Sequence, residues 1–384
     1  MKFSREIYDE VHGFIDLTET EERLLHHCAL ARLSRIKQLG PAYHVYPSAT
    51  HTRLSHSLGA MHLSDRLFVS AVGEDTYGRQ LVRLAGLLHD VGHMPFSHAL
   101  PGDHERFTRE IISSMLGDEV AEYFPELLEI LSGRHKYSPI IASEIDADRL
   151  DYLLRDAHHL GLPYRMVDLE RLLRSARLVR VNGAWELVFK ASAETAVEAL
   201  LLTRLELFRR VYFHKHVSGF EALLARIYQE MPERSIVEPP KELIVSGRWC
   251  YFDDCTLIEI MKNLSRSGGW LAEASRMFLR GEFLHMVFEA PYASGVTLDE
   301  LSDVVAKCPA PEEWVFLHTP KLVPMKDPSR VMLDLDGEVK RAAELQGSLL
   351  EKLAGYVYTA IRVYTRAEYA ESLRGCLKKS LREL

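Results

Sequence analysis

The stretch Leu87-Leu88-His89-Asp90-Val91-Gly92-His93-Met94-Pro95-Phe96-Ser97-His98 decides how this chain is read. Ahead of it, Leu81, Leu84, Ala85, Leu87 and Leu88 recur at three- and four-residue steps, which predicts a helix running into the segment. Three imidazoles and a carboxylate then follow directly on the apolar run. Burying such groups is unfavourable unless they are paired or bound to metal, so the segment reads as a site rather than as plain core.

His89 and Asp90 are neighbours, so on one helix they point about 100° apart and can straddle an ion only if other elements complete its shell. The best candidates are His56, in Thr52-Arg53-Leu54-Ser55-His56-Ser57-Leu58-Gly59, and Asp148, in Ser143-Glu144-Ile145-Asp146-Ala147-Asp148-Arg149-Leu150-Asp151-Tyr152. Two imidazoles and two carboxylates make a nitrogen and oxygen set suited to Mn, Fe, Co or Zn, and less to Mg. A rival reading takes His89-x-x-x-His93 as a metalloprotease H-E-x-x-H helix. Asp90 stands where that motif needs glutamate, and Gly92 and Pro95 break the helix too early.

The chain of 384 residues, 47% hydrophobic and 27% charged, falls in the globular range, and two lobes are expected. A formal charge of -8 argues against a general nucleic-acid binder, because such affinity comes from lysine and arginine neutralising phosphates. A small phosphorylated ligand needs only local arginines. The start, MKFSREIYDEVHGF, has no basic and apolar leader pattern, and no stretch reaches the ~18 apolar residues of a membrane span. A cytoplasmic location without membrane association is the expectation. Cys28, Cys250, Cys255, Cys308 and Cys376 are scattered and never in a C-x-x-C pair, so buried free thiols are expected rather than disulfides or a zinc ribbon.

Residues 18–165 carry helical spacing. Leu178 to Val181 and Trp185 to Phe189 flank Asn182-Gly183, a pair suited to a tight hairpin. Helical spacing returns from Ala193 to Gln229, and Pro232, Pro239 and Pro240 punctuate the chain before a helix starting at Asp253-Asp254-Cys255-Thr256. Further on, His285 to Glu289, Trp314 to His318 and Tyr356 to Tyr364 read as strands, and Gly337 to Leu353 as a helix. The expected fold is mainly α: a helical core over 1–235 with a β-hairpin excursion, and a smaller α/β C-terminal lobe over 236–384.

These residues, in this order, resemble the HD-domain superfamily, and within it the deoxynucleoside triphosphate triphosphohydrolases, the dGTPase-like enzymes. The similarity runs from Val11-His12-Gly13 through Arg35-Ile36-Lys37-Gln38-Leu39-Gly40, His51-Thr52-Arg53, His56-Ser57-Leu58-Gly59 and His89-Asp90. It continues from Asp148 to Gly161 and ends at Arg209-Arg210-Val211-Tyr212-Phe213-His214-Lys215, covering about 200 of the 384 residues. The resemblance implies an HD-domain core and metal-dependent hydrolysis of a deoxynucleoside triphosphate to deoxynucleoside and inorganic triphosphate. Manganese, iron or zinc would sit on His56, His89, Asp90 and Asp148, with magnesium accompanying the triphosphate. It also implies that His104 donates a proton to the leaving oxygen, oriented by Glu105, with His93 and His98 contacting phosphate or water.

By the same resemblance, Arg53, Arg149 and Arg204 face the triphosphate, and Gln38 and Asp156 hold the sugar 3′-hydroxyl. Tyr152 shares the face of Asp148 and Asp156 at i+4 spacing. Tyr212 and Leu39 resemble the pair that packs against the 2′ carbon, where a ribose hydroxyl would be crowded. A homodimer or larger homo-oligomer is expected by analogy. Two departures stand out. Regulated members carry Asp, Gln and Arg in a guanine-binding pocket, where this chain has His26, Ala31 and Ser34. The loop after His98 is short, and it lacks an acidic residue that some relatives carry three places beyond His104. Two other readings follow from the same residues: an HD phosphohydrolase acting on nucleoside monophosphates or other phosphoesters, and a nucleotide sensor with negligible turnover.

Overall fold

The computed structural model describes residues 1–162, 167–291, 297–319, 321–322, 327, 330–354, 356 and 358–380. The chain opens with an antiparallel hairpin, β1 (Phe3–Asp9) and β2 (Gly13–Thr18), absent from the sequence reading. Its turn is closed by Asp9 Oδ1, which accepts from the backbone N–H of Val11 and His12. Helices α1 (Glu19–His26), α2 (Cys28–Ala31), α3 (Arg53–Ala71), α4 (Thr76–Leu88), α5 (His104–Ile111), α6 (Phe124–Leu131), α7 (Ala147–His159) and α8 (Leu169–Ser175) follow. Thr52 caps α3, Asp75 caps α4 and Asp146 caps α7, each side chain accepting from first-turn N–H groups.

Two glycines set how closely these helices pack. A Cβ on Gly86 of α4 would lie 2.9 Å from the Ala60 carbonyl of α3, and one on Gly59 would lie 1.8 Å from Asp151 Oδ1 of α7. With hydrogen at both positions, α3 is sandwiched between α4 and α7, and the faces carrying His56, His89 and Asp148 meet.

The hairpin β3 (Ala176–Val181) and β4 (Ala184–Lys190) turns at Asn182 and Gly183, with φ of 49° and 88° as the dipeptide predicts. It is not an isolated excursion. After α9 (Glu194–Leu207), α10 (Lys215–Glu233), α11 (Pro240–Val245), α12 (Asp254–Leu264), α13 (Trp270–Arg280), β5 (His285–Pro291), α14 (Leu298–Val305), β6 (Phe316–His318) and β7 (Lys321–Leu322), the chain returns to it. Strand β8 (Met332–Leu335) adds in parallel to β4, and β9 (Glu338–Arg341) completes the order β3-β4-β8-β9.

The expected helix from Gly337 to Leu353 is therefore corrected: its first part is a strand, a 3-10 turn follows at Ala342–Glu344, and the α-helix is confined to α15 (Leu349–Ala354). Asp336-Gly337, with φ of 55° and 101°, is a second hairpin turn that outweighs the weak helical spacing after it. Trp314 likewise lies in a 3-10 turn, and the expected strand begins at Phe316. Strand β10 (Tyr358–Thr365) joins β5 and β6, and α16 (Ala367–Ser380) ends the described chain.

One core cluster runs from Ile15 to Tyr364, so residues on both sides of position 235 share it. Trp249, fully buried, donates to the Val91 carbonyl, and Arg32 donates to the Phe252 and His93 carbonyls. The expectation of free buried thiols is overturned. Cys28 is bonded to Cys250 and Cys308 to Cys376, with Cα–Cα distances of 5.2 and 5.8 Å, while Cys255 is free and exposed. Separations of 222 and 68 residues hide both pairings from any spacing rule. The fold is mainly α with small sheets, as expected.

Candidate metal and phosphate site

Helix α4 ends where the chemistry begins. His89 caps it, its N–H donating to the Ala85 carbonyl, and Gly92 lets α5 approach so closely that a Cβ would lie 2.2 Å from the His104 carbonyl. Phe96 and Ser97 then adopt positive φ of 55° and 57°, a conformation that non-glycine residues avoid. The strain is held by Asp254, which accepts from Phe96 N–H, and by Ser97, whose hydroxyl donates to the Lys37 carbonyl and accepts from Arg53 Nε. This turn brings His98 back over His93 and His104.

His56 from α3, His89 and Asp90 from the end of α4, and Asp148 from the first turn of α7 converge. His56 Nε2 lies 3.2 Å from His89 Nε2 and 3.1 Å from Asp148 Oδ1, and His89 Nε2 lies 3.2 Å from Asp90 Oδ1. The opposite ring nitrogens are already engaged. His56 Nδ1 meets Asp151 Oδ2 at 2.8 Å, and His89 Nδ1 meets the Gly86 carbonyl at 2.8 Å.

Each ring thus donates through Nδ1 and turns an Nε2 lone pair toward the other, an arrangement that a cation between them satisfies. The ligand atoms of His56, His89 and Asp90 all lie within 4.8 Å of one another. Against the effect of burial, the hydrogen bonds that His56 donates to Asp148 and Asp151 push it up to about 10. Asp148 is held far below the usual carboxylate range, against burial, by His56 and His89. A field that so favours positive charge at one buried point fits a divalent ion, and the four residues fit the group.

Around this point lies a cavity of about 760 Å³, lined by His89, Asp90 and Asp148 of the quartet. The other expected site residues line it too: His93, His98, His104 and Glu105; Arg53, Arg149 and Arg204; Gln38, Leu39, Tyr152, Asp156 and Tyr212. His56 sits behind the wall, fully buried. His93 stacks on His104 with ring centres 4.2 Å apart, and His98 lies edge-on to both. Burial, then the Arg53 charge, brings His98 down to about 3 and His93 well below its ordinary value, and burial lowers His104, so all three imidazoles are neutral at pH 7.

The arginines are held by carboxylates. Arg53 Nη1 donates to Asp90 at 2.5 Å, Arg149 to Asp146 at 2.7 Å, and Arg204 to Glu144 at 3.2 Å. Tyr212 donates to Asp156 Oδ2 at 2.5 Å while His51 meets Oδ1 at 2.7 Å. Phe208 to Tyr212 is wound as a π-turn rather than the α-helix the spacing assumed, and Phe208 packs edge-on to Tyr212 at 4.7 Å. Gln38 Oε1 is buried and has no hydrogen-bond partner.

Residues 53–156 match the HD domain family. This stretch is therefore an HD domain. An uncharacterized Methanocaldococcus jannaschii protein is 36% identical over 234 residues, covering 60% of this chain and 51% of that protein. Human deoxynucleoside triphosphate triphosphohydrolase SAMHD1 is 30% identical over 269 residues, covering 54% of this chain and 42% of that protein. The chain spans about half the length of the curated relatives it matches. A hypothetical protein from Aquifex aeolicus superposes with a TM-score of 0.80 at 26% identity, covering 97% of this chain and 99% of that one. A Bacteroides thetaiotaomicron phosphohydrolase superposes at 0.78 with 21% identity, covering 94% and 99%.

The HD site rests on a support that the sequence reading missed. Asp151 Oδ1 meets His12 Nε2 at 2.6 Å, both Asp151 oxygens accept from Arg155, and Arg155 donates to Asp9 at 2.8 Å. Asp151 follows Asp148 by three residues and precedes Arg155 by four, a local signal that could have marked it. His12 and Asp9 are about 140 residues from their partners and give no such signal. Among the described residues no helix is long and apolar enough to cross a membrane.

Proposed function

We propose that the chain is an HD-type phosphohydrolase that cleaves deoxynucleoside triphosphates to the deoxynucleoside and inorganic triphosphate. One observation carries the reading: three of the four metal ligands, three guanidinium groups and a Tyr212–Asp156 pair line a single cavity of about 760 Å³, a size suited to a small organic ligand. A divalent ion on His56, His89, Asp90 and Asp148, taken as manganese, iron or zinc, supplies charge neutralisation at the phosphorus under attack.

Arg53, Arg149 and Arg204 exchange a carboxylate for phosphate oxygens, retaining a bidentate-capable fork for each. Tyr212 and Leu39 wall the sugar, and the unpartnered Gln38 Oε1 accepts from its hydroxyl. His104 is neutral in the free protein; the incoming phosphate charge raises its basicity, so it can hold a proton and pass it to the leaving oxygen. Glu105 acts on it through charge rather than through a contact of its own, opposing the effect of burial. At the positions of the family's guanine pocket, His26 and Ser34 are exposed, and the Ser34 hydroxyl is spent on the Ala31 carbonyl. Activation by guanine nucleotides at that place is not part of the proposal.

The deciding assay incubates the protein with each deoxynucleoside triphosphate and with GTP, with Mn²⁺ or Mg²⁺, and separates products by ion exchange. Deoxynucleoside with inorganic triphosphate is expected. Monophosphate and free phosphate, or no product, would replace the reading with a broader phosphoesterase or with a nucleotide sensor. Asp148→Ala is expected to abolish both metal binding and turnover, and activity retained in metal-replete buffer removes Asp148 from the ligand set.

A further inference from the structure

The C-terminal part of the chain contributes two side chains to the cavity for which the proposed chemistry has no use. Glu221 on α10 and His318 on β6 both line it. Glu221 stands one helical turn beyond Val217, which packs with Ala42 and Leu39, so it borders the part of the cavity assigned above to the sugar. His318 is brought opposite by the sheet. It pairs in register with Arg362 of β10, and Arg362 donates to the Phe213 carbonyl and the Ser218 hydroxyl beside Tyr212 and Val217.

His318 Nε2 and the Glu221 carboxyl lie 3.8 Å apart, beyond hydrogen-bond distance, and each side chain keeps 26% exposure. His318 Nδ1 is buried without a partner. Two polar groups facing one space, neither satisfied by the other, need a third. Burial pushes the Glu221 carboxyl up to about 8, against the Arg362 charge, and burial with Arg362 brings His318 down to about 4. At neutral pH the pair is uncharged. A neutral carboxyl sets an O–H donor beside a C=O acceptor. Each nucleobase carries the complement on its pairing edge: the 6-amino group and N1 of adenine, the 4-amino group and N3 of cytosine, N1–H and O6 of guanine, N3–H and O4 of thymine.

We infer that Glu221, flanked by His318, receives the pairing edge of the nucleobase. The inference rests on the nucleotide reading above. Calorimetry compares the four deoxynucleoside triphosphates and inorganic triphosphate on the full chain, with Ca²⁺ present, for the unaltered protein, Glu221→Leu and Glu221→Gln. Turnover with Mn²⁺ is measured in parallel.

Glu221→Leu is expected to weaken every deoxynucleoside triphosphate by roughly tenfold, the effect of one lost hydrogen-bonded pair, while inorganic triphosphate binds as before. Glu221→Gln keeps a donor beside an acceptor and is expected to stay close to the unaltered protein for all four. Nucleotide affinities unchanged in Glu221→Leu, or a loss shared equally by inorganic triphosphate, overturn the assignment. Turnover that is indifferent to Glu221 sinks this inference and spares the proposed activity. Glu221-dependent binding without turnover does the reverse, and no binding of any nucleotide removes both.

Discussion

Asp151 shows how much one buried carboxylate can organise. It holds His56 through Nδ1, which fixes the tautomer that leaves Nε2 free, and it joins that ligand to His12 and Arg155. Asp151→Asn keeps the shape and removes the charge, so metal affinity is expected to fall by about 10- to 100-fold while Asp9 still pairs Arg155. Titration of the chelated protein with Mn²⁺ reads this directly, and an unaltered affinity rejects the support role. Tyr212 acts at the same scale. Tyr212→Ala opens the wall against the sugar and frees Asp156, so the ratio of deoxy- to ribonucleotide turnover should narrow. A ratio that does not move takes Tyr212 out of the sugar pocket.

Between elements, contact distance rather than charge decides the site. Helices α3 and α7 approach at Gly59 so closely that any Cβ would overlap the Asp151 carboxylate and the Arg155 guanidinium at 1.8 and 2.5 Å. Gly59→Ala therefore pushes apart the helices that carry His56 and Asp148. Overpacking of this kind is worth roughly 1–3 kcal/mol of stability. Denaturant unfolding should show that loss, together with weaker metal binding. A stable variant with normal metal affinity would mean that α7 can shift without disturbing its ligand. The strained Phe96-Ser97 turn depends in the same way on α12, through Asp254, so an element 158 residues away shapes the loop bearing His98.

For the whole molecule, the shared core ties stability to histidines outside the cavity lining. His44 stacks on Phe220 and meets Phe278 edge-on, and burial, then the Lys37 charge, brings it down to about 4; burial does the same to His62. Their folded values lie below the unfolded value of about 6.5, so between those limits the unfolded chain binds more protons. Stability is then fully present above about pH 6.5 and falls as pH drops toward 4. Melting temperatures measured across that range should decline. His44→Phe, which keeps the stacking, should flatten the slope, and an identical slope would place the titration elsewhere.

The sequence by itself determined the helical core, the Asn182-Gly183 hairpin and the types of group at the centre, because each leaves a local mark. Apolar spacing, a turn dipeptide, and imidazoles set against an apolar run are all readable within a dozen residues. The fold class was legible for that reason, whereas most of the residues that line the cavity were marked only by the resemblance to a family and by no local pattern. Only the tertiary structure decided the rest. The β1–β2 hairpin reaching the metal site through His12, the return of β8 to β4, the two disulfides and the Glu221–His318 pair all join residues that are far apart in sequence. A misread segment such as 337–353 has the same cause. Strand order, close approach at glycine and burial of a charge are settled by what packs across the chain, and no local pattern carries that information.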